Sequence, residues 1–378
     1  RIILMNGTEF EANWFSHQFQ RHITNCDLRR ELAMTRAVEK QQQLKISLLK
    51  PKNESILEHT ISYEQLAVDL TAELAKRELD CNVKTALDFA LLEDFDHLYR
   101  YANLLEMEQG IYAEWLVGRY TEIMPGRPTI SEHRCPIDNV KRNINSKCAD
   151  VMTVLSTMII TAAEQQTMNY YMNIANIHKS EMGRKLYSEI AMIEEQHVTE
   201  YGSLLDTNCT WLENWVMHEY TECYLYYSCY QDESDPRIKK IWLEHFEQEL
   251  THLKIASEML KKYEGREWEQ LFVGGADFPS LIKLKSNINY VREVMNTVRN
   301  SAYRETTIKL DDLPDSADYF KYQRKVNSTI GQVASHNVIE KYIKKNGQDY
   351  RFEVKPNPEK VLRDRKTDNT DLGRKKGV

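Results

Sequence analysis

The chain has 378 residues, and its 50 basic and 57 acidic side chains give a formal charge of −7. This acidic balance argues against a dedicated nucleic-acid-binding protein, which usually presents a net basic face. An apolar content of 42% is enough to form a buried core and excludes a disordered chain. No apolar run is long enough for a membrane-spanning helix, which needs about 18 residues or more.

The seven cysteines form no CxxC pair, and an odd number in a chain of this length is not typical of a disulfide framework. The absence of CxxC pairs also argues against a rubredoxin-type module. The first residues lack the apolar segment of a secretory signal. We therefore expect reduced thiols and a cytoplasmic location.

Long stretches without proline, rich in Glu, Leu, Ala, Met and Lys, predict an all-α fold. A first helix is predicted over 11–23. Six longer helices follow, over 54–79, 84–107, 148–178, 181–206, 210–230 and 236–262, and another is predicted over 281–305. We treat the six as three helical hairpins.

The predicted organisation has four parts. Residues 1–50 form an N-terminal helical extension. The main helical domain covers 51–265 and contains hairpin 54–107, a crossover 108–147, hairpin 148–206 and an added hairpin 210–262. A less regular, partly helical C-terminal region follows over 266–362, and 363–378 form a charged flexible tail.

The most informative pattern is an internal repeat in which the numbers of corresponding residues differ by 100. Hairpin 54–107 contains Glu64, Asp94-x-x-His97 and Tyr101, and hairpin 148–206 contains Glu164, Glu194-x-x-His197 and Tyr201. Positions i and i+3 lie on one face of a helix, so an acid and a histidine at this spacing can bind the same ion. A short turn joins the two helices of each hairpin. The glutamate on the first helix therefore lies at the same height along the bundle as the acid and histidine on the second helix.

Two such hairpins facing each other supply four carboxylates and two imidazoles, which is the ligand set of a di-iron or di-manganese site in a helical bundle. Mixed oxygen and imidazole ligands suit iron and manganese better than structural zinc. Glu164 is the only charged residue between Val151 and Ile177. Burying a lone carboxylate there is costly unless a cation or a proton compensates it.

Residues 54–206 resemble the ferritin-like di-iron carboxylate superfamily, an all-α four-helix-bundle family. Five positions fit its motif, namely Glu64, His97, Glu164, Glu194 and His197. Asp94 departs from it because the family has glutamate there, and Glu93 is an alternative one residue out of register. The resemblance implies two iron ions, with manganese or a mixed iron–manganese pair as alternatives. Glu64 and Glu164 would be terminal ligands, and Asp94 and Glu194 would bridge.

The added hairpin 210–262 repeats the same spacing, because Glu219 precedes Glu249-x-x-His252 by the interval that separates Glu164 from Glu194. Glu219, Glu249 and His252 form a second candidate ligand set. The family's bundle needs a long crossover, which 108–147 provides and the short link after residue 206 does not. This favours pairing hairpin 54–107 with 148–206. The pairing of 54–107 with 210–262 stays open as an alternative.

The resemblance implies an oxidase or oxygenase that activates O2 for a small organic substrate. A ferroxidase or peroxide-scavenging protein and a metal-free helical interaction protein are the competing hypotheses. Candidate partners are O2 or peroxide, a small-molecule substrate, an electron donor and a second copy of the chain. Tyr101 and Tyr201, one turn past the histidines, are candidates for redox-active groups or hydrogen-bond partners of a ligand. Ordinary packing is the alternative role for both.

Overall fold

A computed structural model describes residues 1–118, 120–123, 139–297, 300–301, 307–308 and 344–345. These residues are overwhelmingly helical, and the predicted all-α helical-bundle class is confirmed. The described residues also include two short antiparallel strands, β1 (Asn300–Ser301) and β2 (Thr307–Ile308), with Asn300 opposite Ile308. Residues 124–138 of the crossover, most of the C-terminal region and the predicted tail 363–378 lie outside the described part of the chain.

The helices differ from the prediction mainly near the two ends. They are α1 (Ile2–Arg21), α2 (Cys26–Ser47), α3 (Ile56–Arg77), α4 (Cys81–Gln109), α5 (Ala113–Val117), α6 (Val151–Ile177), α7 (Glu181–Gly202), α8 (Trp211–Asp232), α9 (Pro236–Glu264) and α10 (Ile288–Met295), with a 3-10 helix over Trp268–Leu271. The first predicted helix, over 11–23, is too short, since α1 already begins at Ile2. The helix predicted over 281–305 is wrong over most of its length, because residues 281–287 are not helical and α10 ends at Met295.

Helix α2 was not predicted at all. Its apolar stripe is interrupted, because polar side chains such as Thr35, Glu39 and Gln42 occupy part of its buried face. Its start is nevertheless encoded locally. The Asn25 side chain accepts hydrogen bonds from the backbone amides of Asp27 and Leu28, which is the usual N-cap arrangement.

Eight of the described helices pack as two four-helix units. The inner bundle consists of α3, α4, α6 and α7, so hairpin 54–107 pairs with hairpin 148–206. The outer bundle consists of α1, α2, α8 and α9, so hairpin 210–262 packs against the N-terminal helices. The inner bundle is thus inserted into the chain between the two halves of the outer bundle. Residues 1–50, predicted as an extension, are one of those halves.

The two bundles meet where α1 packs against α6. At this contact the Gln166 amide donates to Asn6 Oδ1 at 3.1 Å, and Gln43 donates to the Asn6 carbonyl at 3.3 Å. A Cβ atom on Gly7 would collide with the Gln166 side chain. The glycine therefore permits the close approach of the two helices.

None of the described helices combines the length and the apolar character needed to cross a membrane. The six cysteines in the described residues are free thiols. This agrees with the expectation of reduced cysteines as far as these six are concerned.

We predict that Gly7→Val lowers the free energy of unfolding by about 1 to 3 kcal/mol, because overpacking forces α1 away from α6. Gly202→Ala is the control: its added Cβ meets no atom within 4 Å, so this variant should be as stable as the natural protein or more stable by up to about 1 kcal/mol. Chemical denaturation measures both variants. Equal stability of Gly7→Val and the natural protein would contradict the packing described here.

Candidate metal centre

The six predicted ligands meet in the middle of the inner bundle, and we call them the inner cluster. They form two triads, Glu64 with His97 and Glu194, and Asp94 with Glu164 and His197. Within each triad one donor atom per residue lies within 4.8 Å of the others. Every one of the six residues is at most 1% exposed. The structure therefore brings together all six residues that the sequence repeat singled out.

The helical hairpins explain this meeting. Asp94 and His97 share one face of α4, and Glu194 and His197 share the corresponding face of α7. Glu64 and Glu164 come from the partner helices α3 and α6. The two imidazole rings approach to 6.0 Å between centroids, so the two triads are direct neighbours.

Glu194 lies between the two histidines. Its Oε1 is 2.9 Å from His97 Nδ1, and its Oε2 is 3.4 Å from His197 Nδ1. His197 Nδ1 also faces Glu164 at 3.7 Å and Asp94 at 3.8 Å. The Nδ1 atoms of both rings therefore point toward the carboxylates, and the two oxygens of Glu194 face one imidazole each.

Glu93 does not replace Asp94 in the cluster. Its Oε2 lies 2.8 Å from His197 Nε2, the ring nitrogen that faces away from the triad. A histidine that ligates a metal commonly donates its other N–H to a carboxylate, which fixes its tautomer and orientation. Asp94 is itself held by Thr71, whose hydroxyl donates to Asp94 Oδ2 at 3.1 Å. Glu93 and Thr71 thus orient members of the cluster.

The Tyr171 hydroxyl donates to Glu64 Oε1, a predicted ligand. The sequence analysis missed Tyr171, although its place seven residues after Glu164, two helical turns along α6, puts both on one face. Tyr101 is fully buried, with its ring 5.2 Å from that of Tyr171. Tyr201 is fully buried as well, with its ring 6.3 Å from that of His197. The redox role suggested for Tyr101 and Tyr201 stays a prediction.

Several metal-donor atoms of the inner cluster have no hydrogen-bond partner among the described residues. They are Glu64 Oε2, Asp94 Oδ1, both ring nitrogens of His97, Glu164 Oε2, Glu194 Oε2 and His197 Nδ1. The approach of His97 Nδ1 to Glu194 Oε1, at 2.9 Å, is an ion pair. Folded proteins satisfy the large majority of buried polar atoms. So many unpartnered ligand atoms in one place fit a site that holds metal ions.

The electrostatics support the same conclusion. Burial and the nearby Glu194 raise the pKa of Glu64 well above its usual value, and burial and Asp94 do the same for Glu164. Burial raises the pKa of Asp94 to about 7, although the His197 imidazole lowers it. Burial also disfavours ionised Glu194, but His97 and His197 hold its pKa well below the usual value.

Among the described side chains, only histidines form ion pairs with the carboxylates of the inner cluster. No lysine or arginine of that part of the chain forms an ion pair with Glu64, Asp94, Glu164 or Glu194. Protons or metal ions must therefore compensate four buried carboxylates. Four carboxylates and two imidazoles suit a pair of iron or manganese ions.

No protein-family model, curated protein or solved structure matches this chain. The likeness to the ferritin-like superfamily therefore rests on the helical architecture and on the carboxylate–histidine clusters, which are compatible with that fold.

The second predicted ligand set lies in the outer bundle. Glu219 and His252 form a buried triad with Glu39 of α2, and Glu249 forms another with Glu219 and Glu222. The sequence analysis missed Glu39 and Glu222. The signal for Glu39 was its distance from Glu9 along the chain, which equals the interval between the two acids of the other hairpins.

We predict that the melting temperature of the metal-free protein falls as the pH rises from about 5 to 8. Asp94, Glu64 and Glu164 have folded-state pKa values above their unfolded ones, so the folded protein holds protons that the unfolded chain releases. These carboxyl groups do not affect the free energy of unfolding at a pH below their pKa values in the unfolded chain. They lower it increasingly as the pH rises toward their pKa values in the folded protein. Thermal unfolding after chelation, followed over this range, measures the slope.

Glu164→Gln should flatten that slope, because it removes one buried ionisable group. Glu258→Gln on the exposed face of α9 is the control and should leave the slope unchanged. Identical slopes for the natural protein and Glu164→Gln would show that this carboxylate does not carry the effect.

Proposed function

We propose that the inner cluster holds two iron ions and that the protein is a di-iron oxidase or oxygenase acting on a small organic substrate. The observation that carries this proposal is the pair of buried triads with unpartnered donor atoms. Manganese, alone or with iron, is compatible with the same donors. When bound, a ferrous pair supplies the electrons that reduce O2.

Each residue has a definite task in this proposal. Glu64 and Glu164 would be terminal ligands, Asp94 and Glu194 would bridge, and each histidine would complete the ligand set of one ion. The position of Glu194 between the two imidazoles supports its bridging role.

Other residues of the chain hold these ligands in place. The Tyr171 hydroxyl donates to Glu64, Thr71 donates to Asp94, and Glu93 contacts His197 on the side away from the triad. Because these contacts hold the ligand side chains in place, the side chains have to rearrange less when metal ions bind. Because the cluster is almost fully buried, the surrounding side chains also exclude water from it.

A ferroxidase or peroxide-scavenging activity is the second candidate, and one observation favours it. Two cavities of about 480 and 500 Å³ are lined by described residues, and no member of the inner cluster contributes to either. A reaction limited to iron, O2 or peroxide does not need a substrate-sized space beside the cluster. A metal-free interaction protein is less compatible, because protons alone would then have to compensate the buried carboxylates.

We predict that the full-length protein, loaded without oxygen with two Fe(II) per chain, consumes O2 when oxygen is admitted. Glu194→Gln should lower the initial rate on the order of tenfold or more, because it removes the carboxylate between the two histidines. Glu195→Gln changes the next residue of α7, which lies outside the cluster, and should keep the natural rate. An oxygen electrode and the ferric absorption band measure the reaction.

The amount of iron oxidised separates the two candidates. Uptake of O2 that continues as Fe(II) is added in excess, with formation of a ferric mineral, supports the ferroxidase. Uptake that ends with the first two Fe(II) unless a reductant and an organic substrate are present supports the oxidase. Equal rates for the natural protein and Glu194→Gln would contradict both.

A further inference from the structure

We infer that the outer bundle contains a second metal centre, oxygen-rich and suited to a hard divalent cation such as Mn²⁺ or Fe²⁺. Its ligands are Glu39, Glu219, Glu222, Glu249 and His252, which we call the outer cluster. This inference goes beyond the proposed function and does not depend on it, because none of these residues belongs to the inner bundle.

The outer cluster has the geometry of a metal site. Glu39, Glu219 and His252 place one donor atom each within 4.8 Å of one another, and so do Glu219, Glu222 and Glu249. Glu219 is common to both groups and is positioned to bridge them. All five residues are at most 4% exposed.

The register of the chain relates the outer cluster to the inner one. Each inner ligand has a counterpart at one constant distance along the chain. Glu9, Glu39 and Gln42 precede Glu64, Asp94 and His97 by this distance, in that order. Glu219, Glu249 and His252 follow Glu164, Glu194 and His197 by the same distance. The four hairpins are therefore variations of one pattern.

A tyrosine contact follows the same register. Tyr171 donates to Glu64 in the inner bundle, and Tyr226, which follows Tyr171 by the same distance along the chain, donates to Glu9 in the outer bundle. The equivalence thus extends beyond the acidic residues to the group that holds the glutamate of the first helix.

Direct contacts fix the outer ligands. His252 Nδ1 lies 2.9 Å from Glu249 Oε2 and 3.7 Å from Glu219 Oε2. The Trp215 indole N–H donates to Glu219 Oε1 at 2.6 Å, and the Gln42 amide donates to Glu249 Oε1. The imidazole therefore faces the same carboxylates that the neighbouring side chains hold in place.

Unpartnered oxygens indicate a cation-binding site here as well. In the described part of the chain, neither carboxylate oxygen of Glu222 has a hydrogen-bond partner, although the residue is only 1% exposed. One oxygen each of Glu39 and Glu219 is in the same state. Among the described residues, no lysine or arginine forms an ion pair with any carboxylate of the outer cluster.

The differences between the clusters indicate which ion the outer one prefers. Gln42 stands where the inner cluster has His97, so one imidazole is lost. Glu222 stands where the inner bundle has Thr167, and Glu9, the counterpart of Glu64, is not one of the five ligands, so the number of carboxylates stays at four. With one imidazole instead of two, the larger share of oxygen donors shifts the preference toward hard cations and away from copper and zinc.

The test is a titration of the chelator-treated full-length protein with Mn²⁺, followed by electron paramagnetic resonance and native mass spectrometry. The outer variant Glu39→Gln/Glu222→Gln should lose part of the bound Mn²⁺ and keep the rest. The inner variant Glu164→Gln/Glu194→Gln should lose the complementary part. Glu247→Gln/Glu258→Gln, on the exposed face of α9, should bind as much as the natural protein.

Thermal unfolding shows whether the variants are folded. The outer variant removes buried charge, so without metal it should be at least as stable as the natural protein while its Mn²⁺-induced rise in melting temperature is smaller. His252→Gln is a second variant with the same expected loss of Mn²⁺. Full Mn²⁺ binding by either outer variant would overturn the inference. Full binding by the inner variant alone would instead contradict the inner metal centre, so the two failures are distinguishable.

Discussion

Buried carboxylates without a basic side chain to neutralise them are the constraint on which this structure depends. In the inner bundle, four such groups face two imidazoles, and the described lysines and arginines form no ion pair with them. Taking ionised groups out of water costs several kcal/mol each unless another charge compensates them. The helices bring these groups together in the bundle interior, where helix packing favours apolar side chains. A cation is therefore the simplest way to compensate the charges of the carboxylates.

The two bundles of this chain are built from the same hairpin motif. A hairpin with one glutamate on its first helix and a second acid at a fixed interval on its second helix occurs four times. The inner two copies are joined by a crossover, and the whole inner bundle separates the outer two copies. The close contact of α1 with α6 at Gly7 then joins the two units. The architecture thus follows from repetition of a local motif together with the order in which the copies pair.

Much of the inner cluster could be predicted from the sequence, because the helical period turns the spacing of Asp94 and His97 into a shared face. The orienting contacts of Glu93 and Tyr171 could not be predicted, since they depend on side-chain conformations and on packing between hairpins. Only part of the outer cluster could be predicted from the sequence. Helix α2 has Gln42 at the position where the acid–histidine motif has a histidine, so the motif cannot be recognised there. Its apolar stripe is also interrupted, so its buried face could not be predicted from the sequence.

Anomalous scattering tests the central claim most directly. Crystals of the full-length protein grown with iron or manganese would be measured on both sides of the corresponding absorption edge. We expect edge-dependent peaks between the two histidines of the inner bundle, within bonding distance of Glu194. Data from metal-saturated crystals that show such peaks only at the protein surface, with the interior carboxylates hydrogen-bonded to one another, would contradict the account.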